Sequence, residues 1–329
     1  MKEFTISSRG GGQRLDKYLF KVLDRAPGSF VYKMLRKKNI VLNEKKASGK
    51  EILQAGDRVK LYLADDTFSK FASAVFQDNE KGVSKEKSDL SGAGRANDLE
   101  RVDEDEDILV INKPAGLLSQ KAKAGDDSAN DRVIAYLLES GQLTREELRT
   151  FRPSVCNRLD RNTSGLLIAG KTMRGLQETA AQLRSRSVKK YYHALVWGTI
   201  TEPEHLTAYL VKDHGTNQVK VYTAKPGSGG DQIETAYTPL ASYGNATLLE
   251  IHLITGKSHQ IRAHLASVGH PVLGDPKYGD PMRNRELFRA AGVKRQLLHA
   301  CRLELSDGRV FESDDPKEFD KARQWLMKA

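Results

Sequence analysis

The 329-residue chain carries 53 Lys and Arg against 43 Asp and Glu and is 39% hydrophobic, which is material for one large domain plus a small one and too much for a single small module. Its apolar runs, such as Leu166 to Ala169 or Leu248 to Ile254 with Glu250 and His252 inside it, fall far short of the ~20 residues of a membrane helix, so no membrane partner is expected. Two cysteines, Cys156 and Cys301, are too few for a disulfide framework, and Met1-Lys2-Glu3-Phe4 does not open a signal peptide; both point to the cytoplasm.

The charge is unevenly spread. Residues 1–64 hold 15 basic and 6 acidic side chains, residues 65–107 hold 6 and 13, and residues 108–329 hold 32 and 24. Two basic bodies therefore flank an acidic connector, a pattern suited to a polyanion that touches both.

Residues 14–25 place Leu15, Tyr18, Leu19, Val22 and Leu23 at helical spacing, with Arg14, Lys17, Lys21 and Arg25 elsewhere on the cylinder. After Pro27-Gly28, Ser29 is the expected N-cap of a second helix, which packs Val31, Met34 and Leu35 and leaves Lys33, Arg36, Lys37 and Lys38 in solvent. Short strands follow at 40–42 and 58–63. This order resembles the small RNA-binding module shared by a ribosomal small-subunit protein and many RNA-modifying enzymes. The resemblance implies that Arg14, Lys17, Lys33, Arg36, Lys37 and Lys38 grip phosphates. Residues 65–100 are poor in aliphatics and rich in charge, and are expected to be a flexible linker, with Phe68, Phe71, Val75 and Phe76 at helical spacing in its first part.

From residue 101 onward a second, larger domain is expected. Strands are predicted at 108–112 and 166–170, near 189–197, 206–212, 218–224, 233–239 and 246–254, and at 297–305, with helices at 131–139, 173–185, 258–268 and from about 316. Consecutive strands in the middle argue for an α+β domain built on a mixed, mostly antiparallel sheet.

Three stretches could carry chemistry. In NRLDRNTSGLLIAGK (157–171), Asp160 stands among Arg158, Arg161, Thr163 and Ser164 just before an apolar strand; guanidiniums keep a carboxylate ionised, though a structural ion pair has the same appearance. In TGKSHQIRAHLASVGHPVLGDPKYGD (255–280), a helix beginning near Ser258 packs Ile261, Leu265 and Val268 and leaves His259 and Arg262 near its start, a place suited to an anion such as phosphate or Asp160. In SVKKYYHALVWG (187–198), alternation sends one of Tyr191 and Tyr192 into sheet packing and frees the other to stack on a base. The histidines at 259, 264 and 270 are spaced unlike zinc ligands, so no metal is expected. No phosphate loop, dinucleotide fingerprint or nucleophile elbow is present in the sequence.

Together INKPAG (111–116), the 157–171 run, KKYYHALVWG (189–198) and GKSHQIRAHLASVGHPVLGDPKYG (256–279) closely resemble the ribosomal RNA pseudouridine synthases of the RluA/RluC/RluD type, most like the RluC type. The resemblance implies a pseudouridine-synthase fold, with residues 1–64 as an RNA-binding domain, and isomerisation of uridine in RNA, most of all large-subunit ribosomal RNA, by a monomer without cofactor. It implies that Asp160 is the catalytic aspartate, that Arg262 pairs with it and that Tyr192 stacks on the flipped uracil. Arg158 would fill the place of the extruded base, and Arg161, Thr163, Lys257 and His259 would help hold substrate. Asn157 and Lys257 depart from the His and Arg that many members have there. A non-catalytic RNA binder and a metal-dependent RNA hydrolase are the competing readings.

Overall fold

The computed structural model describes residues 1–72, 99–123, 125–213, 215, 218–227 and 229–328. The expected Val75 and Phe76 positions and the Gly-rich end of the acidic connector lie outside them.

The N-terminal part builds a four-stranded antiparallel sheet in the order β1-β4-β2-β3, from β1 (Lys2–Thr5), β2 (Ile40–Leu42), β3 (Lys45–Lys46) and β4 (Arg58–Leu61). Helices α1 (Leu15–Val22) and α2 (Gly28–Arg36) pack their apolar stripes on it, burying Leu15, Tyr18, Leu19, Val22, Val31, Met34 and Leu35. Ser29 is not the cap: α2 starts at Gly28, two residues earlier than a Ser29 cap would place it, behind Pro27, whose fixed φ already suits a helix entrance, and Ser29 points to solvent. The linker expectation also shifts. Residues Asp65–Phe71 form α3, whose Phe68 is buried against Phe4 and whose Phe71 meets Phe30 at 4.5 Å between ring centres. Two aromatic side chains at i, i+3 outweigh the charges around them, and Asp65 and Asp66 sit favourably at the positive end of the helix.

The larger part is one mixed sheet running β11-β10-β12-β13-β9-β14-β8-β6-β5, with β15 (Val310–Glu312) beside β14 and β7 (Ser154–Val155) beside β8. Its other strands are β5 (Glu100–Glu104), β6 (Ile108–Lys113), β8 (Ser164–Gly170), β9 (Lys189–Trp197), β10 (Glu204–Asp213), β11 (Gln218–Tyr222), β12 (Asp231–Tyr243), β13 (Ala246–Leu253) and β14 (Leu298–Glu304). Pairing among the described strands is antiparallel except between β8 and β14. Helices α4 (Ala129–Glu139), α5 (Arg145–Thr150), α6 (Met173–Arg184), α7 (Gln260–Ser267), α8 (Pro281–Ala291) and α9 (Lys317–Leu326) cover it. β8 is buried along its whole length, as its run of apolar residues requires.

The two parts touch through α1 and the loop before it. Lys21 of α1 donates to the Thr150 carbonyl at 3.2 Å and to Gln13 at 2.9 Å, and the carbonyls of Arg9 and Gly12 accept from the Met173 N–H and Gln177 at the start of α6. Lys21 thus ties α1 to the larger part.

Candidate active site

Asp160 sits on the loop that links β7 to β8, and backbone anchors hold that loop. Ser119 Oγ accepts from the Leu159 N–H and donates to the Leu159 carbonyl, both at 2.9 Å. The fully buried Lys113 donates to the carbonyls of Pro114, Leu117 and Arg161 at 3.0, 2.9 and 3.2 Å. Burial pushes its pKa down to about 7 while the charge of Asp160 works in the other direction, and three carbonyls suit the three protons of the ammonium form. Asn157 braces the strand that follows, donating to the Leu166 carbonyl at 3.3 Å and accepting from the Ile168 N–H at 2.8 Å. The loop enters β8 through Thr163-Ser164-Gly165. Gly165 has φ +114, and a Cβ there would lie 2.3 Å from the Ala300 carbonyl oxygen of β14, so the close crossing of loop and strand requires glycine.

Arg262 comes from α7, and the structure changes the reading of that helix. Its residues 260–265 are all buried, whereas Val268 is 40% exposed as the C-cap, so the apolar stripe ends at Leu265. The helix is stitched down by Gln260, whose Nε2 donates to the Glu234 carbonyl at 2.9 Å and to Thr235 Oγ1 at 3.0 Å. Arg262 is therefore a buried cation. Its Nη1 donates to Asp160 Oδ2 at 2.8 Å, while Nε and Nη2 donate as a fork to Asp275 at 2.7 and 2.8 Å. Burial opposes its charge, but Asp275 first and then Asp160 hold its pKa above the ordinary value. Asp275, completely buried, also accepts the N–H groups of Lys277 and Tyr278 at 2.8 and 3.1 Å.

Asp275 had no place in the sequence reading. In Gly274-Asp275-Pro276 it looks like any turn aspartate, and its partner lies thirteen positions away across a helix and a turn. The geometry has a chemical consequence. Because Asp275 takes the fork of the guanidinium, Asp160 receives a single N–H from it and keeps its other oxygen free of that contact.

Tyr192 on β9 lies in the same pocket, which is lined by Arg158, Asp160, Thr163, Tyr192, Lys257, His259 and Arg262 together with the apolar Leu159, Leu253, Ile261 and Leu298. Burial, and next the negative charge of Asp160, raise the Tyr192 phenol well above its ordinary pKa, so it enters as a neutral ring. Tyr191 turns to the opposite face of the strand, between His252 and the Arg302 guanidinium, which sits 4.1 Å from its ring centre. Of the expected substrate contacts, the Arg161 side chain is exposed and does not line the pocket; its carbonyl is the anchored group, held by Lys113 and the Gly116 N–H. Lys257 lines the pocket while pairing with Asp231 at 2.8 Å. His259 has φ +54, a left-handed conformation uncommon for a side-chain-bearing residue, and its Nδ1 shares a 2.9 Å hydrogen bond with Tyr278 Oη. Burial lowers its pKa, against the opposing charge of Asp160. His264 and His270 are engaged elsewhere, by Thr235 and the Trp197 carbonyl.

On the small domain, Lys17, Lys33, Arg36, Lys37 and Lys38 are exposed and form no ion pair among the described residues. Arg14 differs: it is bound to Asp16 through Nε and Nη2 at 3.1 and 2.6 Å, which removes it as an unpaired cation.

With this geometry in place, comparison with known proteins is specific. Residues 107–267 match the family model of the RNA pseudouridylate synthases. Over 302 residues the chain is 32% identical to ribosomal large subunit pseudouridine synthase C of Vibrio cholerae, covering 89% of this chain and 85% of that one. It is 30% identical over 330 residues to ribosomal large subunit pseudouridine synthase D of Nitrosomonas europaea, covering 97% and 86%. Among solved structures, human RNA pseudouridylate synthase domain containing 4 superposes with a TM-score of 0.55 at 22% identity, over 69% of this chain and 92% of that one, a likeness of fold.

Proposed function

The chain belongs to the RNA pseudouridylate synthase family, and we propose that it isomerises uridine in large-subunit ribosomal RNA, with Asp160 as its catalytic group. Its activity is that of an RNA pseudouridine synthase and its substrate is RNA. The observation that carries the residue assignment is the Asp160 carboxylate, fixed by one N–H of the buried Arg262 beside the Tyr192 ring in a single pocket.

A uridine within RNA presents its glycosidic bond only when it leaves the stack, at a cost of a few kcal/mol that is smallest in loops and bulges. The flipped uracil stacks on Tyr192, and Arg158, exposed at the pocket rim, takes the vacated place in the RNA. Asp160 then promotes breakage of the bond from N1 to C1′ of the ribose. The uracil turns within the pocket, C5 bonds to C1′, the hydrogen on C5 leaves as a proton and N1 ends protonated. Atoms and electrons balance within the nucleotide. Thr163, Lys257 and His259 hold the substrate at the pocket wall, and Lys33 and Arg36 of α2, with Lys37 and Lys38 just after it, hold more distant phosphates. The names of the relatives support the large ribosomal subunit as the source of the RNA; a cytoplasmic monomer is the form in which we expect it to act.

Pseudouridine mapping of total RNA from a deletion strain, complemented with the parent gene or with Asp160→Asn, tests this reading. The parent restores specific sites in large-subunit RNA, and Asp160→Asn restores none while still binding RNA. Restoration by Asp160→Asn, or missing sites confined to other RNAs, would overturn it.

A further inference from the structure

The catalytic pocket leaves unused a second cleft, beside the cationic helix of the N-terminal part. It lies between α2 and the loop after β3 and is lined by Tyr32, Leu35, Arg36, Lys46, Ala47 and Glu51. Tyr32 is 40% exposed, unusual for an aromatic on an otherwise polar helix face, yet it is not loose. Its hydroxyl donates to Asp16 at 2.9 Å, and its ring meets Phe20 edge-on at 6.1 Å. Gly49, with φ +94, brings the loop close: a Cβ there would lie 3.4 Å from the Tyr32 ring and 3.2 Å from Leu35. The cleft therefore has a fixed aromatic wall and an aliphatic floor.

Its charges are equally one-sided. Arg36 and Lys46 form no ion pair among the described residues, and Lys33 and Lys45 beside them are likewise exposed and unpaired. The one carboxylate of the cleft, Glu51, is turned back into its own loop, where it accepts the N–H groups of Ser48 and Gly49 at 2.7 Å each and the Ser48 hydroxyl at 2.9 Å. Those bonds hold its pKa below the ordinary value in spite of burial. Asp16 is likewise occupied by Arg14 and by Tyr32 itself. An anion entering meets free cations and spent carboxylates.

We propose that this cleft is a binding subsite for one unpaired nucleotide of the RNA, with its base on the Tyr32 ring against Leu35 and Ala47 and its phosphate between Arg36 and Lys46. The inference rests on the reading of this protein as an RNA enzyme and adds a point of single-strand recognition outside the reactive pocket. A rigid ring costs little further ordering when a base stacks on it, and every base offers a face, so the subsite selects for an unpaired nucleotide rather than for sequence.

The test uses the full chain and a short oligocytidylate carrying one 5-iodocytidine, which offers the catalytic pocket no uridine. Irradiation should attach the probe to the peptide containing Tyr32. Tyr32→Leu should weaken binding roughly tenfold or more, as loss of one base stack does elsewhere, and Tyr32→Phe should bind within about twofold of the parent because the stacking face survives. Lys46→Ala should lower the logarithmic salt slope by about 0.7, the share of one phosphate contact on single strands. Equal weakening by Tyr32→Phe and Tyr32→Leu would assign the effect to the Asp16 bond and overturn the proposal, as would parent-like binding by Tyr32→Leu or attachment only at other peptides. Pseudouridine formation in a uridine-containing RNA, measured alongside, separates the two readings: a parent that converts uridine yet shows no effect of Tyr32→Leu refutes the subsite alone, whereas a parent that converts none refutes the enzyme assignment.

Discussion

Replacing Asp275 by Asn should disable catalysis from a distance, and the structure allows the size of the effect to be worked out. The wild-type carboxylate is wholly buried and takes two N–H groups of Arg262 and two of the backbone. Removing one partner of a buried ion pair costs about 3–5 kcal/mol when the other is left uncompensated. Here Arg262 keeps Asp160 as a counterion, so the loss of stability belongs at the lower end, about 3 kcal/mol. Asparagine retains one oxygen but turns an NH2 group towards the guanidinium, which would then swing to share both of its outer nitrogens with Asp160. Both Asp160 oxygens become hydrogen-bonded and displaced, and a displacement of about 1 Å costs on the order of 100-fold in rate. The assay is tritium release from RNA labelled at C5 of uridine, under single-turnover conditions, with RNA affinity and urea unfolding measured in parallel. A hundredfold slower rate at nearly unchanged affinity is expected. A variant with the parent's rate and stability would refute the idea that Asp275 sets the hold of Arg262 on Asp160.

Other consequences are open to the same assays. Tyr192→Phe keeps the ring and should bind RNA normally, whereas Tyr192→Leu should lose about 1–3 kcal/mol of engagement with the flipped base; slow tritium release by the Phe variant alone would place the hydroxyl in removal of the C5 proton. Deleting residues 1–72 should flatten the salt dependence of binding to large RNA, three lost phosphate contacts lowering the logarithmic slope by about two, as read by filter binding across a salt series. His193 gives a pH signature: burial opposes its charge, but bonds to Asp315 and Cys301 lift its pKa to about 10. A group raised above its ordinary value of 6.5 stabilises fully below that value and loses its contribution as pH climbs towards 10. The melting temperature of the parent should fall over that window, and Asp315→Asn should flatten the fall; identical profiles would exclude the pair as a source of stability.

What the sequence made legible was local. The alternation of 189–197, the unbroken apolar run of 166–170 and the amphipathic spacing of 15–22 each carry their own period, and β9, β8 and α1 lie where those periods put them. Some readable signals went unread: Asp280 caps α8, Pro281 opens it and Gly292 closes it with φ +70, and Thr144 with Glu147 forms the capping box of α5. β5 was not legible at all. Glu-Arg-Val-Asp-Glu has no apolar alternation and becomes a strand only by pairing with β6. The site shows the same division. Motif positions brought Asp160, Tyr192 and Arg262 forward, but the contacts that orient them, from Lys113 to the Arg161 carbonyl, from Ser119 to Leu159 and from Asp275 to Arg262, are made by a fold that no local pattern encodes.

The register of the sheet explains why these distant residues meet at all. Gly165 stands beside Ala300 in the parallel pair of β8 and β14, Ala300 beside Tyr192 in the pair of β14 and β9, and Tyr192 beside Ile251 in the pair of β9 and β13. One row of paired residues therefore runs from the end of the Asp160 loop, through Tyr192, to the strand that leads into the Arg262 helix. The side-chain period of a strand is two, so a slip of one residue along β9 would turn Tyr192 to the face that Tyr191 now occupies and send a neighbour into the pocket. The missing Cβ of Gly165 sets the approach at one end, because only glycine lets the loop come this close to Ala300. At the other end the Asp275 fork fixes the height of Arg262 on its helix. Asp160 is thus located from two directions by rigid elements, and its anchored loop presents the carboxylate in the pocket that Tyr192 also lines.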